Sequence, residues 1–254
     1  MQQVQDQDPM KTNPSPNVYR RATDYRMGVV LVITERNRLG TGFVIQEATQ
    51  LSPPAPALVL TCYHTVQASI DKGVGVYVRK PLAEGGVQEL LAKVVKYDAV
   101  TDMALLTVPQ LRGTPVLTFT PPGDAGDCAI AVGYCNPVGL FKRNARVRLP
   151  GLSPGSIRWI VPHGDAGAVT HTKLYLTFVA MHGMSGAPVV SGGGVIGMLT
   201  HVTTDGTRLS IAVSSGTVIQ ILRGWAELPV NGPSTAQEVL NSLRIRLALD
   251  DAQA

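Results

Sequence analysis

The chain has 254 residues, 44% hydrophobic, 16% charged and only 5% aromatic, with a formal net charge of +4 and a pI near 9.0. Such a length holds a real core in one large or two smaller domains, and no apolar run is long enough to span a bilayer. The 26 glycines and 18 prolines, set among aliphatic rather than aromatic residues, point to a turn-rich β protein and away from a helical bundle.

In chain order, residues 1–17 are rich in Gln, Asp, Asn and Pro. They contain no apolar segment of the kind a secretory leader needs, so residues 1–27 are expected to form a flexible N-terminal arm of a cytoplasmic protein. Short strand-like runs then recur at 28–34, 41–45, 57–61, 74–78, 87–95 and 103–108. After the break Pro121-Pro122-Gly123 they resume at 128–132, 156–161, 174–179, 187–190, 195–202 and 208–213. Strands this short, with turn residues between them, have the spacing of sandwiches and barrels rather than of βαβ units.

Three segments carry chemistry. The run 57–61 leads through Cys62-Tyr63 to His64, and a histidine at a strand end is rigidly mounted yet reachable, as a general base must be. Asp102 directly precedes the run 103–108; a carboxylate entering a buried strand is costly unless hydrogen-bonded, and His64 is its natural partner. Further on, His182-Gly183-Met184-Ser185-Gly186-Ala187 is a glycine-bounded turn before a buried-looking strand. Such a turn presents a serine hydroxyl for attack while backbone N–H groups point at the same spot, although glycine and serine also serve ordinary turns.

The remaining features read more plainly. Cys62, Cys128 and Cys135 are an odd number with neither a disulfide framework nor a zinc spacing, which fits a reducing compartment and no metal. Lys142, Arg143, Arg146 and Arg148 form the clearest basic cluster. No aromatic platform or nucleic-acid motif accompanies it, so a solvated loop is expected, and no nucleic-acid partner. Beyond residue 214 the period changes: Val218, Ile221, Leu222 and Trp225 share one helical face. After a Pro/Gly break at 228–233, Thr235-Ala236-Gln237-Glu238 is a capping-box signature opening a second helix. Ala236, Val239, Leu240, Leu243 and Leu247 lie on one face of it, with Arg244 and Asp251 away from that face. The apolar face is expected to pack on the same chain.

The order His64, Asp102, Ser185 is that of the chymotrypsin-type triad, and these segments resemble the protease domain of HtrA/Deg-type trypsin-like serine peptidases. The stretch from Gly126-Asp127 through Gly133, Asn136-Pro137 and Gly139-Leu140 is similar to the family's Gly-Asp…Gly-Asn-Pro…Gly-Leu strand and turn. Leu209-Ser210-Ile211-Ala212-Val213-Ser214-Ser215 is similar to its Gly-Phe-Ala-Ile-Pro-Ser strand. The resemblance spans roughly residues 28–222.

What the resemblance implies is an all-β fold of two six-stranded antiparallel barrels with C-terminal helices. The first barrel would take 28–120, the second with a closing helix 121–226, and a linker and helix 227–254, with the site in the cleft between the barrels. It implies a serine endopeptidase without a cofactor, acting on protein or peptide substrates. His64 would be the base, Asp102 its orienting acid and Ser185 the nucleophile, with the N–H groups of Gly183 and Ser185 as oxyanion donors. The substrate pocket would have Val179 at its floor and Thr200, His201, Val202, Ser210 and Ala212 around it. With no acid there, cleavage after Lys or Arg is disfavoured and small or medium aliphatic side chains are favoured; recognition of an acidic side chain by His201 is the second reading.

In this family N-terminal aromatic contacts often build a trimer, for which Tyr19 and Tyr25 are the candidates, beside the plainer reading of a disordered tail. The segment 227–254 is too short for a PDZ domain, so one dedicated protein partner is the favoured substrate. Met184 stands where zymogen-activated relatives carry an acid, which removes activation by N-terminal clipping. Two alternatives are a catalytically silent protease-like binding module and a viral-type processing protease; the Gly-Asn-Pro…Gly-Leu match speaks against the second.

Overall fold

A computed structural model describes residues 15–34, 38–49, 55–82, 86–135, 149–163, 171–229 and 235–253. The family-like turn at 136–140 and the basic cluster Lys142, Arg143, Arg146 and Arg148 lie outside these residues. Six strands close a first antiparallel barrel: β1 Val29–Thr34, β2 Leu39–Gln46, β3 Ala57–Cys62, β4 Val76–Pro81, β5 Val87–Asp98 and β6 Met103–Val108, in spatial order β1-β2-β3-β6-β5-β4. A second barrel repeats that order with β7 Cys128–Gly133, β8 Gly151–His163, β9 His171–Leu176, β10 Pro188–Val190, β11 Val195–Val202 and β12 Ser210–Ser214. Closure leaves neither sheet with a long open edge, which is how short all-β strands avoid pairing with another chain.

The alternation along each strand explains why runs such as Ala57–Cys62 and Met103–Val108 are apolar almost throughout. Ala57, Val59, Ala104, Leu106, Val30 and Val32 fill the first barrel. Their neighbours Leu58, Leu60, Cys62, Met103, Leu105, Val29 and Leu31 face outward, yet they are buried too, in a layer shared with Ile130, Val132, Val195, Met198 and Val213 of the second barrel. A strand buried on both faces loses the polar half of its pattern. Ala129, Ala131, Leu174, Leu176, Ala187 and Ala212 fill the second barrel.

Helices finish the molecule. Residues expected in a flexible arm form α1, Pro16–Tyr25, which packs on β7 and β10. Proline at the first helical position and Val18, Ala22 and Tyr25 buried one and two turns apart are the signals that its polar composition hides. Tyr25, a candidate for contacts between subunits, is buried within the chain, its hydroxyl 2.7 Å from Thr118 Oγ1. Tyr19 remains exposed.

A helix not expected from the sequence, α2 Tyr63–Lys72, follows β3 directly and ends in the left-handed cap Gly73. His64 therefore sits in the first turn of a helix and not at a strand end. Helix α3, Ser215–Trp225, is capped by Ser214, whose Oγ accepts the N–H of Thr217.

The capping box of α4, Ala236–Gln253, forms reciprocally: Glu238 Oε2 accepts the N–H of Thr235 at 2.7 Å, and Thr235 Oγ1 accepts the N–H of Glu238 at 3.3 Å. Val239, Leu240, Leu243 and Leu247 are buried against the chain's own core. Arg244, read as lying away from that face, reaches the Glu47 carbonyl just past β2.

Candidate active site

Where β3 ends and α2 begins, the backbone turns over Asp102. The N–H of Tyr63 donates to the Asp102 carbonyl at 3.1 Å, and the N–H of His64 donates to Asp102 Oδ1 at 2.9 Å. The other carboxylate oxygen lies 2.7 Å from His64 Nδ1. Because an ionised carboxylate only accepts, this contact places the ring proton on Nδ1 and leaves Nε2 as an acceptor.

Asp102 takes a positive φ of 58°, a conformation that Asp tolerates better than most residues. The preceding turn is shaped by Asp98 Oδ1, which accepts the N–H groups of Val100 and Thr101. The pair is open on one side, with the His64 side chain 46% and the Asp102 side chain 21% exposed.

Ser185 arrives from the second barrel. The N–H of Thr41 in β2 donates to the Ser185 carbonyl at 2.7 Å. A carbon added at Gly40 would lie 3.1 Å from that carbonyl and 2.6 Å from Oγ1 of Thr65, the residue after His64. The serine segment thus crosses β2 beside the histidine.

Two consecutive β-turns hold it. One, at 181–184, is closed by the N–H of Met184 on the Met181 carbonyl, 3.0 Å; the next, at 184–187, by the N–H of Ala187 on the Met184 carbonyl, 2.9 Å. Their third positions are Gly183 and Gly186, at φ 94° and 86°, where a type II turn requires the left-handed region. At Gly186 a side chain is excluded twice over, since a carbon there would meet the Thr41 carbonyl oxygen at 2.1 Å. Among the described residues the N–H groups of Gly183 and Ser185 and the Ser185 hydroxyl have no protein partner.

The other predicted residues lie near one another, on the paired strands β11 and β12 and just past β9, but they do not share one face. Val179, read as a pocket floor, is 68% exposed, and Ala212 faces the interior of the second barrel. The physical reason is that β9 ends at Leu176, and Phe178, 1% exposed, fills the interior while Val179 turns outward. Ser210 is buried and donates to the Phe178 carbonyl at 2.7 Å; Thr200 is buried and donates to the Ile211 carbonyl at 3.1 Å.

His201 and Val202 remain on the surface side of β11. Partial burial holds the His201 imidazole below its ordinary range; Lys173 adds to this, Asp102 opposes it, and His64 contributes in the same sense as Lys173.

Cys62 is a residue whose place the sequence did not convey. It is fully buried under the histidine–aspartate pair, and its thiol donates to the Leu199 carbonyl at 3.3 Å. Burial, with the Asp102 charge beside it, pushes that thiol well above its usual range. The ligand-type atoms of Cys62, His64 and Asp102 lie within 4.8 Å of one another, a spacing that a metal ion could use. Here, however, the His64 and Asp102 donors are engaged with each other and the thiol with Leu199. Cys128, at the start of β7, and Cys135, two residues past its end, are not in disulfides among the described residues.

Known proteins share this fold. The chain superposes on an inactive form of the protease Rv3671c from M. tuberculosis H37Rv with a TM-score of 0.62 at 22% identity, over 88% of this chain and 98% of that one. Deg5 follows at 0.61 and 18%, over 80% and 90%. The HtrA-type protease AlgW with a tripeptide follows at 0.60 and 20%, over 81% and 62%. At these identities the likeness establishes the two-barrel fold. A search of curated protein sequences finds no match. Residues 40–198, which include the His64–Asp102 pair and both glycine turns, match the model of the trypsin-like peptidase domain, and the chain belongs to that family.

Proposed function

We propose that the chain is a serine endopeptidase with His64, Asp102 and Ser185 as its triad. The observation that carries the reading is the combination at one rim of a histidine held by a carboxylate at 2.7 Å and a serine turn with two backbone N–H groups unspent among the described residues. His64 Nε2 accepts the Ser185 Oγ proton as Oγ adds to the substrate carbonyl carbon. The negative charge that develops on the carbonyl oxygen is taken by the N–H groups of Gly183 and Ser185.

His64 then passes the proton to the leaving amine as the C–N bond breaks, giving an acyl-enzyme. Water repeats the sequence, delivering its proton to His64 and releasing the acid and free Ser185. Asp102 keeps Nδ1 protonated throughout and stabilises the transient imidazolium. Met184, buried in the second barrel, gives no ion pair to a freed N-terminus, and both turns are formed without one.

The test is covalent labelling with a fluorophosphonate. Wild type is expected to label at one site, mapped by mass spectrometry to Ser185, and Ser185→Ala to lose the label with an unchanged circular dichroism spectrum. Absence of labelling in folded wild type, or persistence of the label in Ser185→Ala, would overturn the reading.

A further inference from the structure

Both oxyanion-type turns are built in the second barrel, yet they are gripped by one residue of the first. Thr41 on β2 is fully buried and spends every hydrogen-bonding group it has. Its N–H donates to the Ser185 carbonyl at 2.7 Å. Its hydroxyl donates to the Gly183 carbonyl at 2.8 Å and accepts the N–H of Tyr134 at 3.0 Å. Its carbonyl accepts the Thr61 hydroxyl at 2.8 Å. The roles of the hydroxyl are fixed: Tyr134 N–H occupies a lone pair, so the single proton goes to Gly183.

The consequence lies in which peptide units are tied. The 183–184 unit is bonded at both ends, its C=O to the Thr41 hydroxyl and its N–H to the Met181 carbonyl. The 185–186 unit is likewise tied, its C=O to the Thr41 N–H and its N–H to the Leu199 carbonyl at 2.7 Å. The unit between them is fixed at its C=O by Ala187 and offers the unspent Ser185 N–H. The unit before them, 182–183, offers the Gly183 N–H and is the one that glycine's freedom would allow to flip. A flip needs compensating rotation at Gly183, whose carbonyl the Thr41 hydroxyl holds. The pocket is cut to this residue: a carbon added at Gly133 would lie 3.2 Å from Thr41 Oγ1.

We infer that Thr41 is the positioning residue for the oxyanion turn, its hydroxyl holding the Gly183 carbonyl so that the Gly183 and Ser185 N–H groups stay aimed at one point. The inference rests on the protease reading above. It touches no substrate; it acts through the turn.

The test compares Thr41→Val, which keeps the shape and the backbone bonds but lacks the hydroxyl, with Thr41→Ser, which keeps the hydroxyl and lacks the methyl. The readout is the second-order rate of fluorophosphonate labelling, because phosphonylation also places charge on an oxygen at the turn. Thr41→Val is expected to label about 10²- to 10³-fold more slowly, the loss typical of one oxyanion donor, and Thr41→Ser within about threefold of wild type. The acid-side midpoint of the pH–rate profile should be the same in all three, since the histidine–aspartate pair is untouched.

A folded Thr41→Val that labels at the wild-type rate overturns the inference, as does a Thr41→Ser as slow as the valine variant. If Thr41→Val does not fold, Thr41→Cys supplies the decision: its weaker donor should slow labelling at least tenfold, and a wild-type rate there is equally fatal. Failure of the protease reading is distinct, because wild type itself would then not label.

Discussion

At the scale of single residues, the candidate site draws on both barrels: the His64–Asp102 pair stands on the first, and Thr41 of that barrel holds the turns around Ser185 from the second. His64, Asp102 and Ser185 stand out because each breaks a pattern: a base after an apolar run, an acid before one, a serine between glycines. Thr41 and Cys62 break no pattern; their partners Gly183 and Leu199 lie more than a hundred residues away in sequence, and only barrel closure brings them into contact. The exposure of Val179 is illegible for a related reason, since one residue decides which side of a strand faces inward and β9 stops before reaching it.

His201 carries a consequence of its own. Its folded-state pKa is depressed below 6.5, with partial burial the largest cause. Between that value and 6.5 the unfolded chain therefore binds more protons, and stability falls as pH is lowered through this window. The fall in melting temperature from about pH 7 to about pH 5 is expected to be shallower in His201→Gln than in wild type. Superimposable profiles would show that His201 makes no such contribution.

At the scale of elements, the strands were readable because aliphatic runs bounded by glycine and proline admit few alternatives, whereas two helices escaped notice. In α1 the apolar stripe is only three residues wide among charged ones, and α2 is too short to display a period. Helix α4 was the converse, its capping box and stripe being plain in the sequence. Its worth is energetic: Leu243 is fully buried in the shared layer, so Leu243→Ala should cost about 2–5 kcal/mol in denaturant unfolding. The result should follow from packing alone. A cost below about 1 kcal/mol would mean that the helix is not docked in solution as described.

At the scale of the molecule, the two barrels are not independent bodies that happen to be linked. The layer containing Leu60, Met103 and Leu105 from one and Ile130, Met198 and Val213 from the other is continuous with α1, α3 and α4. Neither barrel could be removed without exposing it. Thermal unfolding is therefore expected as one transition, with near-ultraviolet and far-ultraviolet circular dichroism superimposing. Two resolved steps would contradict a shared core.

The same architecture gives the C-terminal helix a reach that its position conceals. Strand β2 has Thr41 near one end and Gln46 at the other, and Gln46 Nε2 donates to Asn241 of α4 at 3.2 Å. A strand rises about 3.3 Å per residue, so one stiff span of roughly 17 Å connects the tail of the chain to the turn that carries Ser185. Trimming α4 is thus an intervention on the footing of the proposed triad, and a drop in turnover after such a change would signal a loosened beam rather than a lost contact with substrate.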